Sequence, residues 1–193
     1  MNTFAKLVSA IGNPLSIAIF FGIYLNFSGN VPENQKYFPL LFIMAVALPV
    51  SIYVFINVRN KKFGNYDVSD QEKRNGVYKL LIFVFSILSI LFWVLDLGLK
   101  GKLLVSAFLF HIILCFLINQ KIKVSLHTSF TFLFAFIFYP LNAEIAIGLF
   151  FFGFLNAWSR LKLSRHSINE VLFGFLTGNF TGIIYLLFFN RYI

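Results

Sequence analysis

Apolar runs separated by short polar stretches pattern this chain from end to end, near 8–27, 38–58, 77–97, 102–118, 126–139, 141–157 and 167–189. A helix crosses the hydrocarbon of a bilayer with about 20 residues, so the first three runs and the last predict comfortable transmembrane helices. The run at 102–118 is slightly short. Those at 126–139 and 141–157 are also short, and Pro140, Asn142 and Glu144 mark a polar turn between them. They predict a helical hairpin rather than one long kinked segment. The expected fold is all-α, a polytopic transmembrane bundle of six to seven helices forming one integral membrane domain over 1–193.

Composition agrees. Of the 193 residues 59% are hydrophobic and 12% charged, with a mean hydropathy of +0.83, whereas soluble domains carry roughly 25% charged residues. The first run is longer than the ~7–15-residue core of a signal peptide, and no small-x-small cleavage site follows it, so it reads as a retained span. Cys115 is the one cysteine and lies in mid-run, which leaves packing as its role and excludes a disulfide framework or a cysteine metal site. The net charge of +9 belongs to loops of a chain that has little surface for nucleic acid. Membrane lipids and an anionic substrate are the expected partners, and oligomeric state is not readable.

Three polar connections hold most of the charge: Arg59 to Gly76, Asn119 to Ser125, and Trp158 to His166. Two apolar runs separate each from the next, and an even number of crossings returns the chain to the same face. All three can therefore converge. With seven crossings that face carries Lys6, Arg59, Lys61, Lys62, Lys73, Arg74, Lys79, Lys121, Lys123, Arg160, Lys162 and Arg165, against Lys36, Lys100, Lys102 and Arg191 opposite. The positive-inside bias then makes it cytoplasmic. Gly174, Gly178 and Gly182, four residues apart in the last run, form a stripe that lets helix backbones approach closely.

The candidate chemistry lies in the same loops. Ser159-Arg160, five residues, His166, three residues, Glu170 brings together an arginine that forks onto oxyanions, a histidine able to act as nucleophile and a carboxylate able to aim it. Ser167-Ile168-Asn169-Glu170 is equally a capping box, so the carboxylate has two competing roles. Lys162 and Arg165 read as interfacial anchors. The second loop ends in Lys121-Ile-Lys123-Val-Ser125-Leu-His127 at a helix start, where backbone N–H groups favour anions. The first offers Asp67, Asp70, Glu72, Lys73 and Arg74. Asp67-x-x-Asp70 would suit a magnesium-diphosphate site only with a second aspartate-rich loop, and the remaining acids, Glu33, Asp96, Glu144 and Glu170, are isolated. His111, alone in mid-run, reads as a satisfied core histidine.

In order and spacing these clusters resemble the type-2 phosphatidic acid phosphatase family, the membrane branch of the acid phosphatase and vanadium haloperoxidase superfamily, over about residues 60–185. Its motifs are Lys-x6-Arg-Pro, Pro-Ser-Gly-His and Ser-Arg-x5-His-x3-Asp. The third is matched from Ser159 to Glu170, with glutamate for aspartate. The second is matched by Val124-Ser125-Leu126-His127, with proline and glycine replaced. In the first, Arg74 matches the arginine, Asn75 replaces the proline and Asp67 stands where the lysine belongs. The resemblance implies hydrolysis of a lipid phosphate through a phosphohistidine on His166, with no metal or other cofactor. Glu170 would hold the other ring nitrogen, and His127 would protonate the leaving oxygen and then activate water. Arg74, Arg160, Ser125 and Ser159 would bind the phosphate, with Lys123 in compensation for Asp67. Such a protein is expected in the bacterial inner membrane. A catalytically weak relative that binds phospholipid or partners is the alternative.

Overall fold

The computed structural model describes residues 2–29, 37–68 and 70–192; Glu33 and Lys36, counted above among the acids and the outer charges, lie outside them. The first apolar run is where sequence and structure part. It is two helices, α1 (Asn2–Ile11) and α2 (Pro14–Phe27), bent by 51°. Pro14 starts α2, where its missing N–H costs nothing, and the Asn13 side chain caps the Leu15 N–H at 2.9 Å. Gly12 lies against Asn156, leaving no room for a Cβ. The described residues therefore form eight helices where seven runs were expected, continuing with α3 (Phe38–Arg59), α4 (Gln71–Val94), α5 (Leu99–Asn119), α6 (Leu126–Phe138), α7 (Ala143–Lys162) and α8 (Ile168–Tyr192).

Four of these, α3, α4, α5 and α8, are long and apolar enough to cross a membrane, and the bent α1–α2 pair makes a fifth if taken as one span. Large apolar side chains such as Phe83, Ile90, Phe151 and Leu187 face outward, as they do in a chain solvated by lipid. This is a helical integral membrane protein.

The short run at 126–139 behaves differently. At ~1.5 Å per residue the 13 residues of α6 span only about 20 Å, and nearly all of them, from His127 to Phe138, are buried. Its neighbour α7 returns antiparallel beside it: Phe132 faces Gly153, and Asn156 reaches back to the His127 carbonyl. The hairpin turns at Tyr139–Asn142, where Asn142 caps α7 through the Ile145 N–H. On its other side α6 runs parallel to α8, whose glycines form the seam. A Cβ at Gly178 would stand 2.4 Å from the Ser129 carbonyl oxygen, and one at Gly174 2.7 Å from that of Ser125. Close backbone approach is what the stripe is for, and it brings the start of α6 against the start of α8.

Candidate active site at the start of α6 and α8

The three basic loops meet there. Arg74 in the first turn of α4 donates from Nε to the Val68 carbonyl (3.1 Å) and from a terminal nitrogen to that of Val124 (2.8 Å), tying the first loop to the second. The Ser125 N–H donates to the Glu170 carbonyl (3.0 Å), tying the second to the third. Asp67 pairs with Arg160, tying the first to the third.

His166 sits in the turn between α7 and α8. Its Nδ1 lies 2.6 Å from Glu170 Oε2, one helical turn on. The same carboxylate oxygen is 3.1 Å from Lys123 Nζ. The competition set up by the capping box is thus resolved by division: the Ser167 hydroxyl accepts from the Glu170 N–H (3.4 Å), while the carboxylate turns to His166. A carboxylate on Nδ1 fixes the proton there and leaves Nε2 as the basic nitrogen. Burial, followed by the charges of Arg74, Arg160 and Lys123, pushes the imidazole below the ordinary histidine range, with Asp67 opposing. A neutral ring is what a nitrogen nucleophile requires.

Opening beside these residues is a cavity of about 830 Å³. Asp67, Arg74, His127 and His166 form its polar head, and the walls are apolar side chains of α2 to α6, among them Phe42, Phe85, Phe108 and Phe134. Its lining follows α4 from Arg74 to Phe92, about 27 Å at ~1.5 Å per residue. That is close to the ~30 Å hydrocarbon depth of a bilayer.

The other candidates are placed as follows. His127 lines the cavity and its Nδ1 is 3.9 Å from Asp67 Oδ1. Arg160 is only 3% exposed and does not reach the cavity wall; one terminal nitrogen donates to the Ser9 hydroxyl (2.7 Å) and the other to Asp67. Ser125 caps α6, its hydroxyl within 3.0 Å of that of Thr128. Ser159 donates to the Asn156 carbonyl (2.6 Å). Neither serine lines the cavity, and Lys123 is turned to Glu170 instead. Among the described residues no group of three or more His, Cys, Asp or Glu side chains gathers as a metal site.

Two residues gain a place that sequence reading did not assign. Asn156, fully buried, donates to the carbonyls of Gly12 (3.0 Å) and His127 (3.1 Å) and to the Thr131 hydroxyl (2.9 Å). It locks the first turn of α6 to the α1–α2 bend. A lone asparagine three residues before Ser159 was its signal. Asp67 was visible as the residue displacing a lysine and as half of the Asp67–Asp70 pair, not as the partner of Arg160, which lies 93 positions away. Burial works against its charged form, and His127, Arg160 and Arg74 outweigh burial, so the carboxyl sits below the usual carboxylate range. No family model, curated protein or solved structure matches the chain.

Proposed function

We propose that the chain is a membrane-embedded phosphatase that hydrolyses a lipid phosphate or diphosphate monoester without a metal. One observation carries the reading: a titratable head of His166, His127 and Arg74 caps an apolar cavity of bilayer depth. Such a cavity suits an amphiphile whose tail lies among the helices and whose headgroup meets the loops. In the reaction, His166 Nε2 attacks phosphorus as the bond to the lipid oxygen breaks, and His127 gives that oxygen its proton. Water, losing a proton to His127, then attacks phosphorus and breaks the P–N bond, releasing inorganic phosphate. Catalysis here is mainly positioning and charge stabilisation.

The architecture that goes with this reading has seven crossings, with α1–α2 counted as one and α6 and α7 as a hairpin through the bilayer. Its setting is the bacterial inner membrane, with the loops on the cytoplasmic face. A cysteine at Asn65 in a Cys115→Ser background is then protected from an impermeant maleimide until cells are broken; ready labelling of intact cells places the site outside.

A second reading has its own observation. The Asp67 carboxylate neutralises Arg160, the arginine expected to hold phosphate, which favours a protein that binds phospholipid without turnover. A panel of lipid phosphates assayed with purified protein in EDTA separates the two. The phosphatase releases inorganic phosphate, and vanadate inhibits it. Absence of release from every lipid phosphate selects the binding protein, and a strict magnesium requirement points instead to the Asp67–Asp70 pair.

A further inference from the structure

Arg160 presents its most useful edge incompletely. The Nε and outer terminal N–H groups of a guanidinium form the fork that grips a carboxylate or phosphate by two oxygens. Asp67 takes one prong of Arg160 through Oδ2 and turns Oδ1 towards His127. The Nε–H is buried and has no partner among the described residues. A carboxylate placed only to neutralise Arg160 would close the fork, and a buried donor left open carries a desolvation cost.

Position matters as much as charge. Asp67 lines the cavity and Arg160 does not, so the carboxylate stands between the guanidinium and whatever enters. It is held there by its loop. The next residue, Val68, is buried at φ 44°, a left-handed conformation strained for a β-branched residue, and Arg74 pins its carbonyl.

We infer that Asp67 is a specificity-determining residue: an internal anion seated on Arg160 that keeps lipid phosphodiesters out and yields to a phosphomonoester. The inference rests on the reading of the cavity as a lipid phosphate site. A phosphodiester headgroup carries one negative charge, as the carboxylate does. Exchanging one for the other gains no attraction at Arg160 and gives up the Asp67 contacts. A phosphomonoester carries about −1.5 to −2 at neutral pH with three acceptor oxygens. It fills both prongs of the fork and has an oxygen left for the Arg74 and His127 side. In a bilayer the diesters are the bulk solvent, and by mass action they would occupy an unguarded cationic pocket. An unfavourable element aimed at the abundant competitor is how such discrimination is built.

The test is binding, measured by calorimetry in detergent on the His166→Ala protein, where turnover is blocked. The probes are dioctanoyl phosphatidate and dioctanoyl phosphatidylglycerol. Phosphatidate should bind at least about tenfold more tightly. Adding Asp67→Asn should strengthen phosphatidylglycerol binding by about tenfold and phosphatidate by much less, so that the ratio collapses. Asp67→Glu keeps the carboxylate and should keep the ratio. Equal affinity of the parent for the two lipids overturns the inference, whether or not the asparagine variant folds. So does an unchanged ratio in Asp67→Asn, or failure of phosphatidate to bind. Selective binding of phosphatidate by a wild-type protein that releases no phosphate leaves the inference standing and removes the phosphatase.

Discussion

His111 and His166 are both buried, yet their surroundings suit them to opposite work. His111 lies deep in α5 with both ring nitrogens occupied by hydroxyls, Nδ1 3.1 Å from Thr181 Oγ1 and Nε2 3.2 Å from Ser129 Oγ. Cys115 Sγ is 3.6 Å from the same Nε2. Hydroxyls donate or accept as needed, so either tautomer is satisfied and no nitrogen is left for a ligand. The cluster joins α5, α6 and α8 in the bundle interior. His166 has a carboxylate on one nitrogen and a place on the wall of a cavity. A buried histidine becomes a chemical group when one nitrogen is held by an anion and the other has somewhere to react.

The contrast is broken most directly by removing each ring. His166→Ala should lower phosphate release by more than about a thousandfold, as loss of a covalent nucleophile does, with a monodisperse, helical protein remaining. His111→Leu should leave turnover within about threefold and cost roughly 1–3 kcal/mol of stability, because two buried hydroxyls lose a partner. Lost activity in the leucine variant with stability intact, or full activity in His166→Ala, would erase the distinction.

Glu170→Gln sharpens it. An amide on Nδ1 no longer compensates an imidazolium forming in the reaction, so turnover should fall at least about tenfold with folding little changed. Were the glutamate no more than a helix cap, the variant would instead lose about 1 kcal/mol in a melting curve and keep its rate.

The two histidines also show what was legible in the sequence. His111 stood alone in an apolar run, and solitude in lipid already implied a satisfied partner set. His166 stood at fixed distances from Arg160 and Glu170, and the Glu170 contact is an i, i+4 pair that the spacing offered as one of two roles for the carboxylate. The glycine stripe and the α6–α7 turn were local signals of the same kind. The α1–α2 bend was local too: Asn13-Pro14 is a helix start, masked by the apolar residues around it. What pairing at long range decides stayed hidden. Asp67 was read as a missing lysine or as half of an acidic pair because nothing near it in the chain names Arg160, and the apolar run of α6 does not reveal that protein covers most of it.

The smallest expected effect concerns acid. The His166 imidazole is held below the ordinary histidine range by burial first, then by Arg74, Arg160 and Lys123, with Asp67 in opposition. The unfolded chain therefore takes up this proton before the folded one as pH falls. The corresponding stability is fully present above the unfolded value of ~6.5 and is lost progressively below it, towards the folded value. At pH 5.5, one unit below the unfolded value, the loss amounts to about 1.4 kcal/mol. Other titrating groups contribute to the acid sensitivity of the whole protein, so the quantity to measure is a difference. Unfolding of wild type and of His166→Gln in detergent should be compared at pH 7.5 and 5.5. Wild type should lose about 1.4 kcal/mol more than the glutamine variant over that interval. A smaller loss in wild type than in the glutamine variant would mean that His166 is already an imidazolium paired with Glu170 in the folded state, which would leave it without the neutral nitrogen that sets it apart from His111; an equal loss would mean that folding does not shift its pKa.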